Sequence, residues 1–179
     1  MPYLLLKDLP RYECLLEAAK RFPDLDPSAC EAFLHLLRAG AEVFHECEAY
    51  LAKHNLSQGR FTVLMQLLDK MENRPVSRTP AELADLAGVA RATMTGLIDT
   101  LERDGLVTRQ PDPDDRRMMS VHLTPRGLET LHAVLPGHFQ NMAKLMGPLS
   151  ETERASLVRL LSKILRRAEL SETKSPHAA

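Results

Sequence analysis

Asp115-Arg116-Arg117 follows a Pro/Asp-rich stretch, 111–114, and precedes the alternating segment Met119-Ser120-Val121-His122-Leu123. Turn composition followed by alternation reads as the tip and returning strand of a β-hairpin. Guanidinium groups on a projecting tip suit a narrow, electronegative cleft such as the minor groove of duplex DNA. Asp115 stands close enough before Arg117 to hold that side chain straight through a carboxylate–guanidinium pair. By itself such a pair is a surface ion pair of little worth. Its meaning depends on the elements that position it.

Ahead of the hairpin the chain reads as two short helices. Thr79-Pro80-Ala81-Glu82 combines a capping box with proline at the first helical position, and Gly88 stops that helix. A second helix is expected from near Ala90 to Asp104-Gly105, where glycine takes the left-handed C-terminal conformation. Met94, Leu97, Ile98 and Leu101 fall on one face and turn inward. Ala92, Thr95, Gly96, Asp99 and Arg103 then face outward, with Arg91 and Thr93 near the N-terminus. A helix N-terminus offers N–H groups to phosphate, and threonine reaches base edges or the thymine methyl group. Arg91, Thr93 and Thr95 on this helix, with Asp115, Arg116 and Arg117 on the hairpin, are the candidate DNA-binding residues. Helix pairs of this kind are common in helical proteins; the hairpin directly behind this one makes it a winged helix-turn-helix.

The rest of the chain is helical and aliphatic. Aromatic residues are 4% of the 179 and there is no Trp. Asp26-Pro27 opens a helix to about His54, with Phe33, Leu37, Phe44, Cys47 and Leu51 on one stripe and Leu34, Ala41 and Val43 off it. Apolar on more than one face, it needs more than one partner. Ser57 caps the next helix; Thr124-Pro125 opens one running to about Met146; Ser150 and Glu153 form another capping box, before a helix carrying Leu157, Leu160, Leu161, Ile164 and Leu165. The expected fold is mostly α with a small β-hairpin wing. The winged helix-turn-helix, 57–127, lies between N-terminal dimerisation helices, 1–56, and C-terminal ones, 128–170, ahead of a disordered tail, 171–179. The flanking apolar stripes exceed what so small a module covers, which favours a homodimer over a monomeric bundle.

Charge tempers the DNA reading. Residues 57–127 carry 10 Lys+Arg against 10 Asp+Glu. DNA affinity must then come from where the arginines sit, and non-specific affinity is expected to be modest. No signal peptide or membrane span is visible, so the expected location is the cytoplasm, with no membrane partner. Cys14, Cys30 and Cys47 make neither an even disulfide framework nor a close metal pair.

The segment Asp115-x-Arg117-x-x-x-Val121-x-Leu123-Thr124-x-x-Gly127 resembles the wing motif of the MarR (multiple antibiotic resistance regulator) family. Glu82-Leu83-Ala84, with Leu97-Ile98-Asp99-x-Leu101-Glu102-x-x-Gly105-Leu106-Val107, is similar to that family's helix-turn-helix. The resemblance covers about residues 56–130. It implies an obligate dimer on pseudo-palindromic double-stranded DNA, with the terminal helices as interface. It also implies a transcriptional regulator, most members being repressors released by phenolic ligands, oxidants or metals. It maps the wing arginine to Arg117 and its supporting aspartate to Asp115. The chain departs from the pattern at Gly96, where many members carry arginine, and in a longer N-terminal segment expected to add a helix over about residues 10–21.

Three modes of control compete. A small aromatic or phenolic ligand would be lined by Phe44, His45, Phe61 and Met65, all of which plain core packing also explains. Oxidation would act at Cys14, although its flanking pattern differs from the family's peroxide sensors. Metal control would draw on His35, His45, Cys47 and His54, but no close cluster is visible, and neither a metal nor a cofactor is expected. A winged helix used as a protein-binding module is the competing function. An enzyme is disfavoured: there is no phosphate loop, zinc-protease helix motif or nucleophile elbow, and Asp114-Asp115 sits on an exposed turn.

Overall fold

Most helices begin where a side chain takes up the free N–H groups of the first turn. The computed structural model describes residues 8–69, 71–111 and 119–172, so the expected wing-tip residues Asp115, Arg116 and Arg117, and the expected tail beyond Glu172, lie outside the described residues. The anticipated extra helix is α1 (Tyr12–Arg21), which packs on α2 (Pro27–Ala52) and buries Leu15. Asp26 opens α2 by accepting from the Ser28 and Ala29 N–H groups at 2.9 and 3.1 Å. Ser57 accepts from the Arg60 N–H at the start of α3 (Gln58–Gln66).

A short hairpin not anticipated from the sequence follows. β1 (Leu68–Asp69) pairs antiparallel with β2 (Arg74–Pro75). Asp69 Oδ1 accepts from the Met71 and Glu72 N–H groups at 2.8 and 3.2 Å, and Asn73 takes φ 50°, a conformation asparagine tolerates. Thr79 and Glu82 then exchange bonds in both directions to open α4 (Pro80–Ala87), which ends at Gly88 with φ 63°. α5 (Arg91–Arg103) follows, and Gly105, with φ 71°, turns the chain into β3 (Val107–Pro111). β3 pairs antiparallel with β4 (Met119–Leu123), Val107 opposite Leu123 and Pro111 opposite Met119. β3 thus takes in Pro111, the first residue of the Pro/Asp-rich stretch, because pairing with β4, not its own apolar pattern, sets its length.

By compactness the chain divides between His138 and Phe139, inside α6 (Pro125–Met146). The first unit has an aliphatic core. Val63, Leu64 and Leu67 around α3 meet Leu83 of α4, Met94, Ile98 and Leu101 of α5, and Val107 and Val121 of the hairpin. Leu131 and Val134 of α6 complete it. Leu97, the fourth of the inward-facing residues, is half-buried and closes on Gly59. α6 docks through Thr124, whose N–H donates to the Leu106 carbonyl at 3.1 Å and whose hydroxyl donates to the Gly105 carbonyl at 2.7 Å. The same hydroxyl accepts from the Gly127 N–H at 3.0 Å.

Near the end of that unit the His138 ring lies 4.8 Å from Phe61 and 6.3 Å from Tyr50, whose hydroxyl donates to the Val134 carbonyl at 2.8 Å. Burial pushes the His138 pKa below the ordinary histidine value. The folded chain therefore favours the neutral ring, while the unfolded chain titrates at about 6.5. This contribution is complete above the unfolded value and is lost as pH falls through it toward the lower folded value. Thermal melts between about pH 8 and 5 are expected to show that loss, with a flatter slope in His138→Gln. An unchanged slope in the variant would assign the loss to other groups.

The second unit holds the end of α6 and α7 (Glu151–Glu172). Ser150 and Glu153 cap α7 reciprocally: the Ser150 N–H donates to Glu153 Oε2 at 2.8 Å, and the Glu153 N–H donates back to the serine oxygen at 3.4 Å. Phe139, Met142, Val158, Leu160, Ile164 and Leu165 are exposed. Among the described residues no helix is long and apolar enough to cross a membrane.

Candidate nucleic-acid interface

With Met94, Ile98 and Leu101 fully buried, α5 turns Arg91, Ala92, Thr93, Thr95, Gly96, Asp99 and Arg103 to solvent. The Thr95 hydroxyl donates to the Arg91 carbonyl at 2.9 Å and keeps its lone pairs free to accept. A Cβ added at Gly96 would meet nothing within 4 Å, so no neighbour within the protein requires glycine there. A mid-helix glycine costs about 0.5–1 kcal/mol against alanine. What it provides is a low, open stretch of helix for an approaching surface.

The structure adds a feature that the sequence reading missed. Arg109 of β3 donates through Nη2 to Asp99 and through Nη1 to Glu102, each at 2.5 Å, and its N–H donates to Glu102 Oε1 at 2.9 Å. Partial burial works against the Arg109 charge, but the hydrogen bonds to both carboxylates outweigh it and hold its pKa above the ordinary arginine value. The clamp ties α5 to the wing and neutralises two carboxylates on or beside the outward face. Arg60 does similar work behind it, pairing with Asp104 and donating to the Asn55 carbonyl at 3.0 Å. Charge spacing was the available signal: Asp99 and Glu102 share a helix face, and Arg109 follows in the next strand.

The wing gains a third strand segment. Arg78 and Val121 pair across it: the Arg78 N–H donates to the Val121 carbonyl at 3.2 Å, and the Val121 N–H donates to the Arg78 carbonyl at 2.8 Å. Arg91 and Thr95 come together with Thr79, Pro80 and Ala81 of the α4 start and Met119 of β4 around a concavity of about 310 Å³. Thr93 is exposed but is not part of that lining. Pro111 and Met119, paired at the strand ends, mark where the chain leaves for the segment bearing Asp115, Arg116 and Arg117.

The expected effector residues separate. Phe61 and Met65 line a cavity of about 610 Å³ with Gln58, Thr62, Gln66, Leu68, Asp69, Val76, Arg78 and Leu86. Phe44 and His45 are exposed on α2 and are not in its lining, which comes from α3, the β1–β2 hairpin, the segment after it and α4. Gln58 Oε1 and Gln66 Oε1 are buried with no hydrogen-bond partner among the described residues. Cys14 is exposed on α1. Among the described residues no group of three or more His, Cys, Asp or Glu side chains is placed to hold a metal.

Comparison with known proteins agrees with this geometry. The MarR family profile matches residues 56–119. The HTH-type transcriptional repressor YetL of Bacillus subtilis is 37% identical over 162 residues, covering 90% of this chain and 95% of that protein. The HTH-type transcriptional regulator PecS of Dickeya dadantii is 27% identical over 79% of this chain and 84% of its own length. Among solved structures, a mutant MarR from E. coli complexed with operator DNA superposes with a TM-score of 0.62 at 26% identity, covering 73% of this chain and 90% of that one. Bordetella bronchiseptica BpsR, described with regulation of its DNA binding by 6-hydroxynicotinic acid, gives 0.63 at 28% identity, with the same coverage. By its near full-length similarity and its winged helix-turn-helix, this chain belongs to the MarR family of DNA-binding transcriptional regulators and is not an enzyme.

Proposed function

We propose that the protein is a homodimeric, sequence-specific repressor whose hold on DNA is released by a small aromatic or phenolic ligand. The observation that carries the DNA part is the outward face of α5, with small side chains at Ala92, Thr95 and Gly96 beside the base of the wing. In this reading α5 enters the major groove, Arg91, Thr93 and Thr95 meet phosphates and base edges, and Arg117, steadied by Asp115 and flanked by Arg116, enters the minor groove. Residues 1–56 and 128–170 supply the dimer contacts. Exposed Phe22, Phe33 and Phe44 in the first unit, and Val158 and Leu165 in the second, are the apolar surface a second copy would cover. Two lobes on one dimer call for a pseudo-palindromic site.

Ligand release is supported by the 610 Å³ cavity, a size that suits a small molecule, and by its two unsatisfied glutamine oxygens. The hydroxylated pyridine acid named for BpsR gives the ligand class to try first. The test is selection from random duplexes followed by fluorescence anisotropy across a salt series. Tight binding of a selected site by two protomers, weakened roughly tenfold by Arg117→Ala, is the expected result. Equal, weak binding to selected and scrambled duplexes would overturn it in favour of a protein-interaction module.

A further inference from the structure

We propose that Arg78 senses a ligand's anionic oxygen in the 610 Å³ cavity and passes its arrival to the wing and to the helix-turn-helix; this rests on the ligand-release reading above. Arg78 joins three elements. Its Nε–H donates to the carbonyl of Gln66, the last residue of α3, at 2.8 Å, where the helix dipole favours a cation. Its backbone is pinned to Val121 of β4 by the two hydrogen bonds described above. The residue after it, Thr79, is the N-cap of α4. It lines the cavity beside Gln66, whose Oε1 has no partner among the described residues.

The chemistry favours an exchange of partners. The Arg78 Nε–H is held by a neutral carbonyl, with the Asp69 carboxylate near enough to feel its charge. A carboxylate or phenolate oxygen adds the attraction of opposite charges to what a carbonyl offers, and it draws the guanidinium toward the ligand and away from Gln66. Because both backbone groups of Arg78 are paired, the pull reaches Val121 and Thr79 and is not absorbed by a free loop. Asp69, on the same lining, stays anionic: the Glu72 and Met71 N–H groups lower its pKa most, and the Arg74 and Arg78 charges add to this. It repels a second anionic group, so the ligand class is a singly charged molecule with an apolar body against Phe61 and Met65. A ligand releases DNA only by binding the released arrangement more tightly, and the Arg78 exchange is where that difference arises.

Covalent filling tests this without the natural ligand. In the full chain with Cys14, Cys30 and Cys47 replaced by serine, Thr62→Cys is alkylated with para-(bromomethyl)benzoic acid or with uncharged benzyl bromide. The benzoate adduct is expected to weaken binding to the selected duplex roughly tenfold more than the benzyl adduct does. It should also speed amide deuterium exchange at Val121 and at the start of α4. With Arg78→Gln, or with Arg78→Met where the first variant fails to fold, the excess effect of the carboxylate disappears. An excess of equal size in these variants, or no excess with Arg78 in place, overturns the proposal. Should the unmodified protein bind no selected duplex, the regulator reading falls, while the exchange difference between the adducts still decides the role of Arg78.

Discussion

Gly127→Ala is expected to destabilise the protein by about 3 kcal/mol and to lower its melting temperature by roughly 6–12 °C. An added Cβ would overlap the Leu106 carbonyl oxygen, sit 3.0 Å from its carbonyl carbon and press on a Leu123 methyl at 3.3 Å. The first obstacle is backbone and cannot rotate away. That carbonyl already accepts from the Thr124 N–H, and the Thr124 hydroxyl links Gly105 to the Gly127 N–H. One methyl group therefore strains the junction where the turn after α5, the start of β3 and the start of α6 meet. DNA binding should fall with it, because β4 leads straight into that junction. Gly96→Ala is the control for stability alone, measured without DNA, since it enters open space within the protein and regains helix propensity. A loss below about 1 kcal/mol in Gly127→Ala would show that α6 can shift to accept the methyl group.

Arg109→Ala is expected to weaken DNA binding by about 2 kcal/mol, roughly thirtyfold, at low salt. The wild-type guanidinium holds Asp99 and Glu102 together, and the Asp99 side chain is 59% exposed on the face proposed to meet DNA. Without Arg109 both carboxylates stand near the phosphates with no counter-charge, and the tie between α5 and β3 is lost. The two effects separate experimentally. Repulsion from phosphates is screened, so that part shrinks as salt rises. Adding Asp99→Asn to Arg109→Ala should recover part of the affinity, a coupling that a double-mutant cycle measures. A loss independent of salt and unrelieved by Asp99→Asn would assign Arg109 a purely structural role.

Local signals in the sequence were legible where chemistry between near neighbours decides the outcome. The caps at Asp26, Ser57, Thr79 and Ser150, the buried stripe of α5 and the span of β4 all follow from spacing within a few residues. The β1–β2 hairpin was not legible, because strands of two residues carry no alternation, and its turn depends on Asp69 accepting two specific N–H groups. The Arg109 clamp and the Arg78–Val121 pairing join residues that only the tertiary fold brings together. For the cavity, helical spacing marked Phe44 and Phe61 alike as apolar. It could not say which turn of α2 lies beside α3, nor that Arg78 would arrive from the segment after the hairpin.

The tying of Arg109 to two carboxylates bears on how such a regulator would find its target in a genome. A guanidinium already paired displaces few counterions when the lobe touches arbitrary duplex, so each accidental encounter is brief. Long slides along the double helix then give way to many short visits separated by excursions through solution. On the function proposed above, bulk chromosomal DNA would sequester few copies, and occupancy of the true site would depend on α5 and the wing contacting their preferred bases.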